Sequence, residues 1–233
     1  PDRVVVDGKN PELRYRSAAN PGEWGYMVHY KAVRSGYDYF LLAHHGPSIY
    51  PVISQENQNT FFQTSPLATT VAGGISMAIE EWGLYAEVAA QRADDDSDDD
   101  FAKYVFGVSY RETEYAENFG LEEIMPIIEY ARDSVFDNDV DPNVTVTSEE
   151  ARPAKDTVLF NVDFRVDDEF SFSAFGVYNV GKSDRLMGFG AKYKYSDNLE
   201  FKLYGRRFRG SDASQFGRWR DNDHVELGLF FKF

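Results

Sequence analysis

Asp223-His224-Val225-Glu226-Leu227-Gly228-Leu229-Phe230-Phe231-Lys232-Phe233 closes the chain on an alternation. Val225, Leu227, Leu229, Phe231 and Phe233 are apolar, Glu226, Gly228 and Lys232 fall between them, and Phe230 alone breaks the rule. A period of two sends successive side chains to opposite faces, so the stretch reads as a strand with one apolar and one wetter face. A chain end in water usually frays, so finishing on an aromatic run calls for an apolar surrounding.

Working back, the pattern repeats. Leu199, Phe201 and Leu203 alternate with Glu200, Lys202, Tyr204 and Arg206, and Met187, Phe189, Ala191, Tyr193 and Tyr195 with Gly188, Gly190, Lys192 and Lys194. Phe170 to Tyr178 and Val158 to Val166 form two more such stretches. Earlier ones run through Tyr104 to Tyr110, Leu84 to Ala90, Val71 to Ile79, Tyr37 to Ala43, Trp24 to Arg34 and Leu13 to Ser17. Leu121 to Arg132 fits helical and strand periods alike and contains Pro126; topology favours a bulged strand. The count is about twelve antiparallel strands, with residues 1–11 a polar extension.

The connections sort by length. Short turns are expected near Ser35, Trp82, Asp167 and Ser196, with a looser one near Glu114. The other end receives the connections near Pro21 and Lys182 and the long or acidic segments 45–67, 94–100, 133–155 and 210–222. An up-and-down transmembrane β-barrel sorts its loops in this way, and a soluble sandwich has no need to. The expectation is therefore one all-β, antiparallel barrel domain spanning residues 1–233.

Composition permits this. Apolar residues make up 42% of the 233 positions and mean hydropathy is −0.49. No run reaches the roughly 18 to 20 apolar residues of a spanning helix, whereas a barrel needs only alternate residues to face lipid. Aromatic residues reach 16%, enough to furnish two interfacial girdles. The absence of cysteine removes disulfides, thiol nucleophiles and Cys-held metal or haem. A net charge of −15 argues against nucleic acid as a partner. No apolar leader is visible at Pro1, as expected of an exported protein in mature or trimmed form.

The terminal Gly228-x-x-Phe231-x-Phe233 resembles the closing strand of Gram-negative outer-membrane β-barrels. The resemblance implies that Gly228, Phe231 and Phe233 form an assembly signal read by the barrel-assembly machinery. It also implies an outer-membrane location among lipids and lipopolysaccharide. Ile79-Glu80-Glu81-Trp82-Gly83-Leu84-Tyr85-Ala86-Glu87, followed by an acidic loop and Tyr104-Val105-Phe106-Gly107-Val108-Ser109-Tyr110, is similar to later strands of large alginate-export-type, porin-like barrels. That similarity implies a substrate-conducting channel and is compatible with this chain being the C-terminal part of a larger barrel.

On this reading the face opposite the apolar one lines a pore for passive diffusion of small hydrophilic solutes. Arg14, Arg16, Lys31, Lys103, Arg111, Arg165, Lys192, Lys194, Lys202 and Arg206 are its candidate cations, against Glu80, Glu87, Asp163, Glu200 and Glu226. Such an excess favours anions unless the charges pair across strands. The loops at 45–67 and 133–155 are candidates to fold inward. The run Asp94-Asp95-Asp96-Ser97-Asp98-Asp99-Asp100 lacks calcium-loop spacing and reads as a solvated outer loop, so neither metal nor cofactor is expected. Two alternatives stand beside the channel. One is a barrel enzyme of lipase or protease type using rim His44, His45 or His224 with Asp223; the other is a structural barrel sheathing a partner protein.

Overall fold

The computed structural model describes residues 12–15, 24–57, 60–94, 96–152 and 154–232. Its strands in chain order begin with β1 (Glu12–Tyr15), β2 (Tyr26–Arg34), β3 (Tyr37–Pro47), β4 (Val52–Asn57) and β5 (Thr60–Thr64). They continue with β6 (Leu67–Ile79), β7 (Trp82–Ala93), β8 (Asp100–Tyr110), β9 (Glu123–Asp137) and β10 (Val144–Val146). The last third holds β11 (Asp156–Arg165), β12 (Phe170–Asn179), β13 (Asp184–Ser196), β14 (Leu199–Arg209) and β15 (His224–Phe231).

Eleven of these form one up-and-down sheet in the order β15-β14-β13-β12-β11-β9-β8-β7-β6-β3-β2. Every neighbouring pair in it is antiparallel. Among the described residues β2 and β15 each have a neighbour on one side only. The other four strands form a small second sheet, β1-β5-β4-β10.

Three expectations are corrected here. The main sheet has eleven strands, not twelve, because the first alternating stretch becomes β1 and pairs in parallel with β5 in the small sheet. The segment 45–67 is not a bare loop but carries the β4–β5 hairpin. Leu121 to Arg132 does supply a strand, yet without a bulge at Pro126, since the β9–β11 register runs unbroken through Val162↔Pro126. The reason is positional. Ile124 exchanges backbone hydrogen bonds with Glu112, toward the β8 side. Pro126, two residues on, aims its missing N–H the same way, where the β8 ladder has already stopped at Ser109↔Ile127. The expected extension at 1–11 and the connection near Pro21 lie outside the described residues.

The alternation read from sequence holds in register across the whole sheet. Leu227, Leu203, Ala191, Phe172 and Phe164 stand side by side on one face. So do Phe160, Ile128, Val108, Leu84, Met77 and Tyr37 on the other half of it. Aromatic rings bound this apolar face at both ends. Trp82 lies 4.6 Å from Tyr110 and Phe164 stacks 4.6 Å from Phe172 near the short turns. Tyr26, Tyr104, Tyr130 and Tyr178 stand toward the long loops. Phe170 and Tyr178, eight residues apart on β12, are separated by about 26 Å at roughly 3.3 Å per residue.

Very little of this apolar material is buried. Among the described residues the buried apolar ones are Val52, Phe61, Ala68, Ala93, Phe101, Ala116 and Ala131, while Leu227 is 75% exposed and Val28 70%. Eleven strands spaced about 4.8 Å apart and some 25 Å tall present on the order of 1,300 Å². The largest apolar patch on a typical soluble monomer is roughly 300–600 Å².

Cross-strand glycines shape the faces. Gly107 lies between Tyr85 and Glu129 in register, and a Cβ there would collide with the Tyr85 ring. The tyrosine thus crosses over β8 and donates its hydroxyl to the Glu129 carboxylate. Phe189 covers Gly205 in the same way on the apolar face.

Candidate functional site: the polar face and its cap

The polar face collects the ionisable residues that alternate with the apolar set. Lys192 faces Lys202 directly, a repulsive arrangement, and the carboxylate between them resolves it. Glu200 lies 3.3 Å from Lys192 and 2.8 Å from Lys202. Lys194 pairs with Asp197 at 2.8 Å in the β13–β14 turn, and this partner holds the Asp197 carboxyl below its usual range. Arg165 contacts Glu122 at 3.2 Å and Glu123 at 3.4 Å, and Arg111, just past β8, also pairs with Glu123. Phe230, the residue that broke the closing alternation, lays its ring 4.3 Å from the Lys202 ammonium.

The candidate cations are therefore divided. Lys31, Lys103, Arg165, Lys192, Lys194, Lys202 and Arg206 stand on the polar face of the main sheet. Lys31 and Arg206 are exposed and enter no ion pair among the described residues. Arg14 falls on β1 of the small sheet, not on the main one. Arg16 and Phe233 lie outside the described residues. Glu80 sits in the β6–β7 turn at φ 53, not on a strand.

At the long-loop end two connections converge on the polar face. Tyr50, in the segment leading to β4, meets Phe101 at 6.1 Å between ring centroids and receives a hydrogen bond from Lys103 at 3.4 Å. Burial, with the nearby Asp133, raises the Tyr50 hydroxyl above its ordinary range. Gln91 donates to Ser48 at 3.2 Å in a buried contact. From the other connection Arg152, 3% exposed, lays its guanidinium 3.9 Å from the Phe101 centroid. It donates to Asp133 at 2.7 Å and to Ser148 at 2.6 Å, with Asp99 at 3.9 Å. β10 then joins β4, so the two connections become one cap.

The acidic run is only partly solvated, which corrects the expectation for it. Asp98 and Asp99 are 3% and 4% exposed, and Asp98 accepts the Ser148 N–H at 2.8 Å. Burial pushes the Asp99 carboxyl above its usual range. Asp100 begins β8 and accepts the Ala93 N–H at 2.9 Å. No cluster of ligating side chains suited to a metal ion occurs among the described residues.

A scan against models of known families finds no match, and no curated protein matches the sequence. The site is accordingly read from its own geometry.

The histidines separate by face. His44 and His224 are on the polar face, at strands near opposite edges of the sheet. His224 is held through Nδ1 by the Asn222 carbonyl at 2.8 Å. His45 is on the apolar face, with Thr69 Oγ1 3.0 Å from Nδ1 and Asp94 3.6 Å from Nε2. The sequence pointed to a rim His–Asp pair but joined His224 to Asp223. Asp223 instead accepts the Phe208 N–H and pairs with Arg209. Sequence reading also missed Arg152, a cation within an acidic segment, which was the available signal.

Proposed function

We propose that the main sheet is the wall of a Gram-negative outer-membrane β-barrel. On this reading the apolar face meets lipid, and the polar face lines a pore for small hydrophilic solutes. The observation that carries the proposal is the exposed apolar face, continuous across eleven strands and edged by aromatic rings at both ends. An exposed face of that size is unfavourable in water by tens of kcal/mol, at roughly 25 cal/mol per Å², and is stable in hydrocarbon. Strand lengths of 9 to 15 residues in β2 to β14 of that sheet suit a bilayer crossing. The three longest connections, 48–66, 138–155 and 210–223, gather at one end, with 94–99 and the short 180–183 turn beside them. The connections at the other end are tight turns except 111–122, a bias toward one end that barrels also show.

The cap at the long-loop end narrows the mouth, with Tyr50, Phe101 and Lys103 at its inner surface. Pairing of Lys192, Lys202 and Arg165 with carboxylates leaves Lys31 and Arg206 as the groups that favour anions. The test is single-channel conductance of the chain refolded into planar bilayers under a salt gradient. Stepwise currents with anion preference support the proposal. Intact β-sheet circular dichroism in bilayers without any current removes the channel and leaves the wall.

A second reading rests on the Thr69–His45–Asp94 arrangement. Hydroxyl, imidazole and carboxylate stand in the order used to activate a nucleophile, and they stand on the lipid side, where an acyl ester would lie. Ester hydrolysis in mixed micelles, abolished by Thr69→Ala and by His45→Ala, would establish a rim hydrolase. No turnover by the unaltered chain disposes of it.

A further inference from the structure

The charges of the apolar face lie mostly toward its long-loop end, Arg92 and Arg132 among them, and three further arginines gather there on β13 and β14. Arg185 on β13 stands directly opposite Arg209 on β14, and Arg207 is the diagonal neighbour, opposite Met187. Side chains opposed in this way have Cβ atoms about 5 Å apart, and like charges there repel. Asp223 is the one carboxylate in reach of them among the described residues, 2.8 Å from Arg209 and 3.9 Å from Arg207. One of its oxygens is already committed to the Phe208 N–H at 2.8 Å. The Arg185 side chain is exposed and enters no ion pair or hydrogen bond among the described residues. Its chain neighbour Asp184 points to the other face, where it accepts from Asn179 and from the Phe216 N–H. Two guanidiniums thus share a single carboxylate, and the third, Arg185, has none among the described residues.

Beside them runs a groove of about 560 Å³ whose apolar lining is Met187, Phe189 and Val225 and whose polar lining is Arg206, Arg207, Asp223 and His224. Cationic forks above an apolar trough are what a phosphate on an acyl chain requires. Guanidinium binds phosphate bidentately, and the trough receives hydrocarbon.

Resting on the membrane reading above, we infer that Arg185, Arg207 and Arg209 form a binding site for a phosphorylated lipid. Its phosphate lies between the arginines and one acyl chain lies in the Met187–Phe189–Val225 groove. The occupant neutralises the Arg185–Arg209 opposition that Asp223 leaves unbalanced.

The test uses the full chain in detergent with added phosphatidic acid or phosphatidylcholine of identical acyl chains, read as retained adducts by native mass spectrometry. Phosphatidic acid should be retained about tenfold more than phosphatidylcholine, and the double variant Arg185→Ala/Arg207→Ala should erase that preference. Arg220→Ala, whose side chain pairs with Asp212 away from the groove, should leave it unchanged. The charge-preserving Arg185→Lys/Arg207→Lys should keep part of it, which guards against a folding defect in the alanine form. Equal retention of the two lipids, or preference surviving the alanine double variant, overturns the inference. Loss of the adduct to excess inorganic phosphate would make this a free-anion site and overturn the lipid assignment. Insertion into pure phosphatidylcholine vesicles, followed by protease protection, separates the two levels: insertion without lipid preference refutes only this site, and no insertion refutes the membrane reading itself.

Discussion

The guanidinium of Arg152 sits over the ring of Phe101, 3.9 Å from its centroid, and so fastens the 138–155 connection to the polar face of β8. Asp133 supplies the charge at 2.7 Å and Ser148 the second hydrogen bond at 2.6 Å. Tyr50 meets the same ring from the other connection, and the Gln91–Ser48 and Ser148–Asp98 hydrogen bonds tie the cap down beside it.

Arg152→Ala should therefore release the cap. Removing one member of a buried ion pair strands the other and costs about 3 kcal/mol. Hydrogen exchange in β4 and β5 should accelerate roughly a hundredfold, with the β12–β14 amides unchanged, and single-channel conductance should rise.

The buried Asp99 gives the cap a pH dependence. Its carboxyl is raised by burial, so the folded state holds the proton more tightly than the unfolded chain. The stability from the protonated form is complete below the ordinary carboxylate range and is lost as pH rises through the folded value. Asp99→Asn should slow hydrogen exchange in the cap at neutral pH and have little effect in acid. An equal effect at both pH values would contradict this.

Ile128 on β9 is flanked by Val108 and Phe160 and is 54% exposed. Ile128→Arg should cost about 2–4 kcal/mol when stability is measured in lipid vesicles. A face in contact with water would tolerate it within about 0.5 kcal/mol.

Tyr85 reaches over Gly107 to Glu129 on the third strand. Gly107→Val should force the ring off the backbone and destabilise the sheet by about 1–3 kcal/mol. Tyr85→Phe, which keeps the ring and removes only the hydroxyl, should cost about 1 kcal/mol. Urea unfolding from bilayers measures both.

Ion selectivity should follow the unpaired cations. Arg206→Glu should move the reversal potential toward cations by more than Lys194→Glu, because Lys194 is already matched by Asp197 at the turn. Equal shifts would mean that pairing on this face does not govern the current.

The strands were legible because a period of two is local. Val225 to Phe231, or Phe170 to Tyr178, declare their faces without reference to any other residue, and the register then lines them up. The cap was not legible, because β10 meets β4 through Val144↔Ser54, a pairing across most of ninety intervening residues with three-residue β10 carrying almost no pattern of its own. Asp98 and Asp99 misled for a related reason. Six like charges in seven positions argue for water, and only the arrival of Arg152 and Ser148 from a distant segment allows two of them to be enclosed. Pro126 was read as a disruption because its missing N–H was counted without knowing which neighbour that N–H faced.

The unbroken antiparallel order from β2 to β15 fixes a parity. Ten reversals leave the two outermost strands running in the same direction. If the wall closes on itself directly, β2 and β15 meet in a parallel seam with slanted hydrogen bonds, unlike every other junction in it. If the seam is antiparallel, an odd number of strands must stand in the gap, and one is the smallest solution. Such a strand must alternate apolar and polar residues in phase with Tyr30 on one side and Leu227 on the other. The direction and phase of any strand that could join these two edges are thus written into β2 and β15.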